Sequence, residues 1–284
     1  MSKYLNRQTL AINEESQYGG KGLRFLYKNA FGRLLLKFFA GHAFSNFMAW
    51  YYGDKMSKRK IKPFVKKYNI DISDEKLEKY QNFAEFFTRI DPKRSFDNSP
   101  NVLISPADSR VLHYRITDDL LVTIKNSVYR IADLIGEKDV EKYRDGHCLV
   151  FRLTMDDHHH YCYVDDGKLV RRKHIPGQLH TVSSISKDYE VFIHNDRVVN
   201  VLQTEHFGEI VQVEIGAMLV GRIRNRNVEE FAKGDEKGYF ELGGSTIALL
   251  LDKGAVKVDE DILINSEQNI EVKVKYGEKV GQAC

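Results

Sequence analysis

The sequence predicts an α+β protein: a basic, amphipathic helical head over residues 1–70 followed by a β-rich domain over residues 71–284. Three observations predict it. Residues 1–70 carry 14 Lys/Arg against 3 Asp/Glu, and the remainder carries 29 against 37, so a head of +11 precedes a body of −8 within a chain of net +3. Residues 23–68 mix apolar and aromatic side chains with Lys and Arg in the manner of an amphipathic helix. From about residue 100 the chain breaks into short runs rich in Val, Ile, Leu and Tyr, separated by Asp, Gly and Asn, which is the signature of strands and turns.

In chain order, the first thirty residues are polar and charged and hold no secretory signal. Phe31–Phe39 combines apolar bulk with Arg33 and Lys37, and Phe44–Tyr52 contains the only tryptophan, Trp50. A basic run follows through Lys55, Lys58, Arg59, Lys60, Lys62, Lys66 and Lys67. Aromatic bulk beside such a run suits a helix lying in an anionic membrane interface, and equally a helix packed on the protein's own core with a solvated basic face. Residues 72–90 read as another helix, with Phe83, Phe86 and Phe87 near its end. Strands are expected at Leu120–Ile124, Cys148–Leu153, Lys168–Arg172, Val198–Leu202, Ile210–Ile215, Ala217–Ile223 and Thr246–Leu251.

Composition narrows the function classes. No run of about 18 apolar residues exists to span a bilayer. Cys148, Cys162 and Cys284 form no CxxC pair, which suggests a reducing, intracellular compartment. Nucleic-acid binding by the head lacks a recognition motif and an alternating basic–aromatic strand. No metal is expected: adjacent His158, His159 and His160 do not converge on either a strand or a helix, and no other ligand spacing supports a zinc site.

Three stretches hold chemistry-bearing residues. Gly243-Gly244-Ser245-Thr246 lies where a turn enters an apolar strand. It reads as a glycine turn whose hydroxyl satisfies the backbone, or as a site where Ser245 attacks the carbonyl of Gly244, which has no side chain to block approach. The ester so formed can eliminate at the Ser245 Cα and leave a pyruvoyl group, an electron sink made from the protein itself. A phosphate cradle is excluded, because GxxxxGK[ST] spacing and a following helix are missing. The cleavage reading needs a base and an acid elsewhere. Asp108, after Ser105-Pro106-Ala107, is either a turn aspartate or that acid. Among His158, His159 and His160, general acid/base work competes with plain solvent exposure.

Taken together these stretches resemble the phosphatidylserine decarboxylase family, from about Phe83 to Leu251. Phe86-Phe-Thr-Arg89 with Arg94 resembles its FFxR…R, and Ser105-Pro-Ala-Asp108 its SPxDG. Leu153–Gly167 resembles its LSPxDYHRxHxPxxG. Pro176-Gly177, Leu179-His-Thr-Val182 and Asn195-Asp-Arg197 match the segments that follow. Gly216-Ala217 with Val220-Gly221, Lys233–Phe240 and Gly243–Thr246 complete the series in family order.

The resemblance implies self-cleavage at Gly244-Ser245 into chains 1–244 and 245–284. Ser245 becomes a covalent pyruvoyl cofactor, which condenses with the amine of phosphatidylserine and releases phosphatidylethanolamine and CO2. It implies that Asp108 is the charge-relay carboxylate and His159 the histidine of decarboxylation. It also implies a peripheral protein on the cytoplasmic face of an anionic membrane, and leaves homo-oligomerisation open.

This sequence departs from the pattern. Ser109 replaces a glycine, and His158 and His160 replace the tyrosine and arginine around His159. The second family histidine, the base of self-cleavage, falls on Cys162, and a thiol cannot do imidazole's work without a strongly shifted pKa. The expectation is that His180 substitutes as the base; the alternatives are that His159 does both jobs or that maturation is slow. A one-residue shift of the alignment would put His158 in the place of His159 and Tyr161 in the second position. The rival functions are a pyruvoyl decarboxylase of a soluble amino acid and a catalytically silent membrane-binding homologue.

Overall fold

The computed structural model describes residues 2–15, 20–90, 94–124, 127–181, 190–218, 222–242 and 245–284. It opens with a hairpin, β1 (Ser2–Asn6) and β2 (Ala11–Glu15). The helical reading of residues 1–70 is corrected here: Ser2–Asn6 and Ala11–Glu15 are strands of a sheet. Three helices follow, α1 (Gly20–Lys28), α2 (Ala30–Phe39) and α3 (His42–Gly53). Asn29 caps α2 by accepting from the N–H groups of Phe31 and Gly32. Gly32 is where α1 and α2 cross, since a Cβ there would lie 2.1 Å from the carbonyl oxygen of Phe25. A 3-10 turn at Lys55–Lys60 leads into α4 (Ile61–Tyr68), with Pro63 in its first turn and left-handed Asn69 closing it. The single helix expected over 72–90 is two, α5 (Asp74–Glu78) and α6 (Phe83–Phe87). Asn82 restarts it: its side chain accepts from the Glu85 N–H, while Glu85 reaches back to the Gln81 N–H.

The body is built from β3 (Val102–Ile104), β4 (Ser109–Arg115), β5 (Leu121–Ile124), β6 (Ser127–Arg130), α7 (Ile131–Ile135), β7 (His147–Leu153), β8 (His160–Cys162) and β9 (Gly167–Ile175). It continues with α8 (Val191–His194), β10 (Arg197–Thr204), β11 (Glu209–Ile215), β12 (Arg222–Asn225), β13 (Glu230–Phe231), β14 (Glu236–Glu241) and β15 (Ser245–Leu251). It closes with β16 (Val256–Val258), α9 (Glu260–Glu267), β17 (Glu271–Val274) and β18 (Lys279–Ala283). The strand expected at Ala217–Ile223 differs. Gly216, just past the end of β11, donates its N–H to the Asp196 carbonyl; residues 219–221 of the expected strand lie outside the described residues, and β12 begins at Arg222.

A ten-stranded sheet runs in the order β13-β9-β10-β11-β15-β7-β4-β17-β1-β2. Every pair in it is antiparallel except β1 with β17. Three smaller sheets among the described residues, β12-β14-β8, β16-β18-β3 and β5-β6, accompany it. Alternation along β15 explains the two cores. Ile247, Leu249 and Leu251 join one apolar cluster with Leu103, Phe240 and Val280, while Ala248 and Leu250 join a second with Leu134, Tyr143 and Phe192. Buried on both faces, β15 reads as a continuous apolar run. The head is not loose on this body. Phe83, Phe86 and Phe87 are buried together with Ile61, Leu77 and Leu242, the last residue described before Ser245.

Candidate active site

The register of the large sheet brings the chemistry-bearing stretches to one end of it. Ser245, the first residue of β15, is opposite Leu153, the last of β7, and Arg152 is opposite Arg110 near the start of β4. On the other side Thr246 is opposite Ile215, and Ile215 is opposite Arg197. The corner before β4, the loop after β7, the Asn195–Asp196 segment and Gly216 therefore all lie level with Ser245. At about 4.8 Å per strand, β4 and β10 each run about 10 Å from β15, on opposite sides.

Ser245 is wholly buried and its Oγ has no hydrogen-bond partner among the described residues. A buried hydroxyl left unpaired is costly, and such an atom in a native fold calls for a role. Gly243 and Gly244, the residues on which the expected cleavage falls, lie outside the described residues.

Asp108 is where the sequence was most informative. It is buried at the corner after Pro106, and its Oδ1 accepts from the Tyr276 N–H at 2.9 Å. Its Oδ2 lies 2.9 Å from His158 Nδ1 and 3.8 Å from Lys275 Nζ. Burial raises its pKa, but the His158 hydrogen bond, the Lys275 ammonium and the Tyr276 N–H outweigh burial and hold the carboxyl well below the usual carboxylate range. Asp108 is thus a carboxylate, so His158 Nδ1 donates to it, and in a neutral imidazole Nε2 is then the acceptor.

The structure therefore pairs Asp108 with His158, not with His159 or His180. His159 points into the core beside Phe87, stacked at 4.2 Å between ring centroids, with neither ring nitrogen hydrogen-bonded among the described residues. Burial pushes its pKa down to about 3, with neighbouring Arg89 adding to the effect. His160 faces the opposite way, with Nε2 2.8 Å from the Thr88 carbonyl and Nδ1 3.1 Å from Glu236. A tight turn sets these directions. The Thr154 N–H donates to Asp157 Oδ2 at 2.7 Å, and Arg110 donates to the Thr154 hydroxyl.

His159 leads to a stability prediction. The unfolded chain takes up a proton here near pH 6.5, but the folded chain does so only near pH 3. Between those values the unfolded state binds more protons, so His159 lowers stability as pH falls. His159→Phe is expected to remove on the order of a few kcal/mol of acid destabilisation between pH 6.5 and 4, read from urea unfolding of both proteins across that range.

His180 is two strands away from Ser245 on the other side. Its Nδ1 lies 3.2 Å from the Tyr27 hydroxyl of α1, its Nε2 2.7 Å from Gln178 Oε1, and its N–H donates to Asn195. It lines a cavity of about 580 Å³ with Pro176, Gly177, Gln178, Glu190, Ile193 and His194. Both ring nitrogens have partners, so this imidazole is held as part of a wall.

Cys162 is fully buried under the same corner as Asp108. Its backbone N–H donates to the Pro106 carbonyl, and its Sγ lies 3.8 Å from the Ser105 carbonyl. Burial pushes the thiol up to about 12. It is a protonated core group, unsuited to general-base work.

Sequence reasoning missed a buried ion pair on the face of the sheet that carries Ser245. Glu214 is opposite Ile247, two residues along from Ser245. Its Oε1 accepts from Lys237 Nζ at 2.8 Å, and both side chains are fully buried. Asn225 and Asn200 complete the cluster. Burial lowers the Lys237 pKa to about 8 despite the adjacent carboxylate. Lys237→Met would strand the Glu214 charge, at an expected cost of about 3–5 kcal/mol. Urea unfolding measures it, and Lys237→Met with Glu214→Leu should recover most of the loss.

Comparison with known proteins decides the family. The model of the phosphatidylserine decarboxylase family matches residues 83–282. The chain belongs to that family. It is 48% identical over 282 residues to phosphatidylserine decarboxylase proenzyme 2 of Clostridium acetobutylicum, an alignment covering 98% of this chain and 97% of that one. It is 37% identical to the phosphatidylserine decarboxylase proenzymes of Clostridium botulinum (99% of each chain) and Fusobacterium nucleatum (98% and 97%). The matched region of this phosphatidylserine decarboxylase family member contains Asp108, His158, His159, Cys162, His180 and Ser245.

Proposed function

We propose that this protein is a phosphatidylserine decarboxylase that matures by cutting itself between Gly244 and Ser245. The observation that carries the reading is the buried Ser245 hydroxyl, without a hydrogen-bond partner among the described residues, at the same sheet end as the Asp108–His158 pair. The Ser245 Oγ attacks the Gly244 carbonyl carbon, giving up its proton, and the Gly244–Ser245 amide becomes an ester. Loss of the Ser245 Cα proton expels the Gly244 carboxylate and leaves dehydroalanine, and water then replaces nitrogen to give a pyruvoyl group and ammonia. His158 Nε2 takes the hydroxyl proton, and Asp108 fixes the tautomer and balances the resulting charge, as in other nucleophile–imidazole–carboxylate sites.

The residues present fit a pyruvoyl group, since Ser245 begins a strand buried on both faces and its side chain has no competing partner among the described residues. When formed, that group supplies a carbonyl which condenses with an amine and draws electrons from a breaking C–C bond. His159, neutral throughout the physiological range, is the residue we assign to decarboxylation, positioning the substrate through its neutral ring. His180 shapes the adjacent polar cavity.

The head supports a lipid substrate. Phe31, Leu34 and Phe38 on α2 and Phe47 and Trp50 on α3 are 54–69% exposed, with Arg33 and Lys37 exposed beside them. An exposed apolar row flanked by cations fits a membrane interface. No helix among the described residues is long and apolar enough to cross a bilayer. Phe38→Ser with Trp50→Ser is expected to reduce flotation with anionic vesicles at least tenfold. Unchanged flotation would favour decarboxylation of a soluble amino acid. Intact mass spectrometry tests maturation: two chains, 1–244 and a pyruvoyl-headed 245–284, are expected, and one 284-residue mass would favour a silent homologue.

A further inference from the structure

We propose that the N-terminal hairpin β1–β2 is a clasp that holds the C-terminal chain in place, with Arg7 as its fastening. The inference rests on self-cleavage, after which residues 245–284 have no covalent link to the rest. Those residues comprise β15, β16, α9, β17 and β18. β15 is secured by β11 and β7 on its two sides. β17 has only four residues, with β4 on one side and β1 on the other, where Tyr4, Leu5 and Asn6 pair with Glu271, Val272 and Lys273. Without the hairpin, β17 would be an open edge.

Arg7 leaves the end of β1 and reaches groups of the C-terminal chain alone. Its Nε and Nη2 donate to the two oxygens of Asp261 at 2.7 and 2.6 Å. Nη1 donates to Glu278 Oε1 at 3.2 Å and to the Lys279 carbonyl at 2.6 Å, and Nη2 lies 3.3 Å from Asp259. The side chain is only 15% exposed. A bidentate, partly buried guanidinium–carboxylate contact is among the stronger polar interactions available to a protein. It joins the start of α9 to the turn between β17 and β18. The same turn carries Lys275 and Tyr276, which hold Asp108. Arg7 is thus a positioning residue acting through that turn.

The test begins with intact mass of purified wild-type and Arg7→Ala protein, which reports cutting separately from clasping. Both are then held in sub-denaturing urea and passed over a sizing column, and the 1–244 peak is weighed for retained 245–284. Loss of the small chain on the order of tenfold faster in Arg7→Ala is expected. Hydrogen exchange should quicken at residues 271–274 and stay unchanged at 245–251. Equal retention and equal exchange would overturn the clasp. If Arg7→Ala does not accumulate, Asp261→Asn removes the bidentate partner from the other side and should show the same pattern. If the starting protein is a single chain, the cleavage reading fails, and exchange at 271–274 still decides whether the hairpin secures β17.

Discussion

Ser245→Ala protein remains a single 284-residue chain with no measurable decarboxylase activity. This is the largest effect expected of any substitution here, because one oxygen is both the nucleophile of maturation and the precursor of the electron sink. The alanine fits the site. Ser245 Oγ is buried and makes no hydrogen bond among the described residues, so its removal leaves no stranded partner and costs little stability. Gel mobility and intact mass report the cut, CO2 release reports activity, and a urea midpoint near wild type excludes misfolding. Ser245→Cys provides a graded control, since a thiol can still attack and cut the chain. A Ser245→Ala protein that arrives as two chains would sink the mechanism.

His158→Ala is expected to slow self-cleavage by about 10²–10⁴-fold, the usual worth of a positioned general base, so that it accumulates as uncut chain. Asp108→Asn should fall in the same range. The amide keeps the shape but cannot hold the Nδ1–H tautomer or balance an imidazolium. His180→Ala should cut normally, because its ring is engaged by Tyr27 and Gln178, and Cys162→Ala should too, because its thiol stays protonated. His159→Ala should cut but fail to decarboxylate. A time course of precursor loss after dilution from denaturant separates these outcomes. Normal cutting by His158→Ala with a stalled His180→Ala would return the role of base to His180. Asp108 also keeps its charge well into the acid range. Its folded pKa is depressed, so the stability it contributes is present above the ordinary carboxylate range and is lost as pH falls through the lower folded value. The pair therefore persists across the neutral and mildly acidic range in which cleavage would be measured.

Much of this was legible in the sequence because it is local. Gly243-Gly244-Ser245-Thr246 before Ile-Ala-Leu-Leu-Leu reads as a turn entering a buried strand, and β15 begins at Ser245. Pro106 before Asp108 reads as a corner, and Asp108 is at one. The apolar runs at Cys148–Leu153, Val198–Leu202 and Ile210–Ile215 became β7, β10 and β11, because period and turn residues are properties of a few neighbouring positions. Motifs in family order carried the family for the same reason.

Only the tertiary structure decided the rest. Three adjacent histidines are equivalent to any local rule. Which of them meets Asp108 depends on the Thr154–Asp157 turn and on Phe87 taking the ring of His159. The polar segment 2–15 carries no strand periodicity strong enough to read, and its partner β17 is more than 250 residues away, as is Asp261 from Arg7. The fully buried Lys237 could not be foreseen either, because a lysine is buried only when a carboxylate such as Glu214 waits inside the fold. Pattern and motif are encoded in neighbouring residues, so the sequence by itself determined β7, β10, β11 and β15 and the family. The partner of each charged side chain is set by long-range strand register, and that is settled only when the sheet closes.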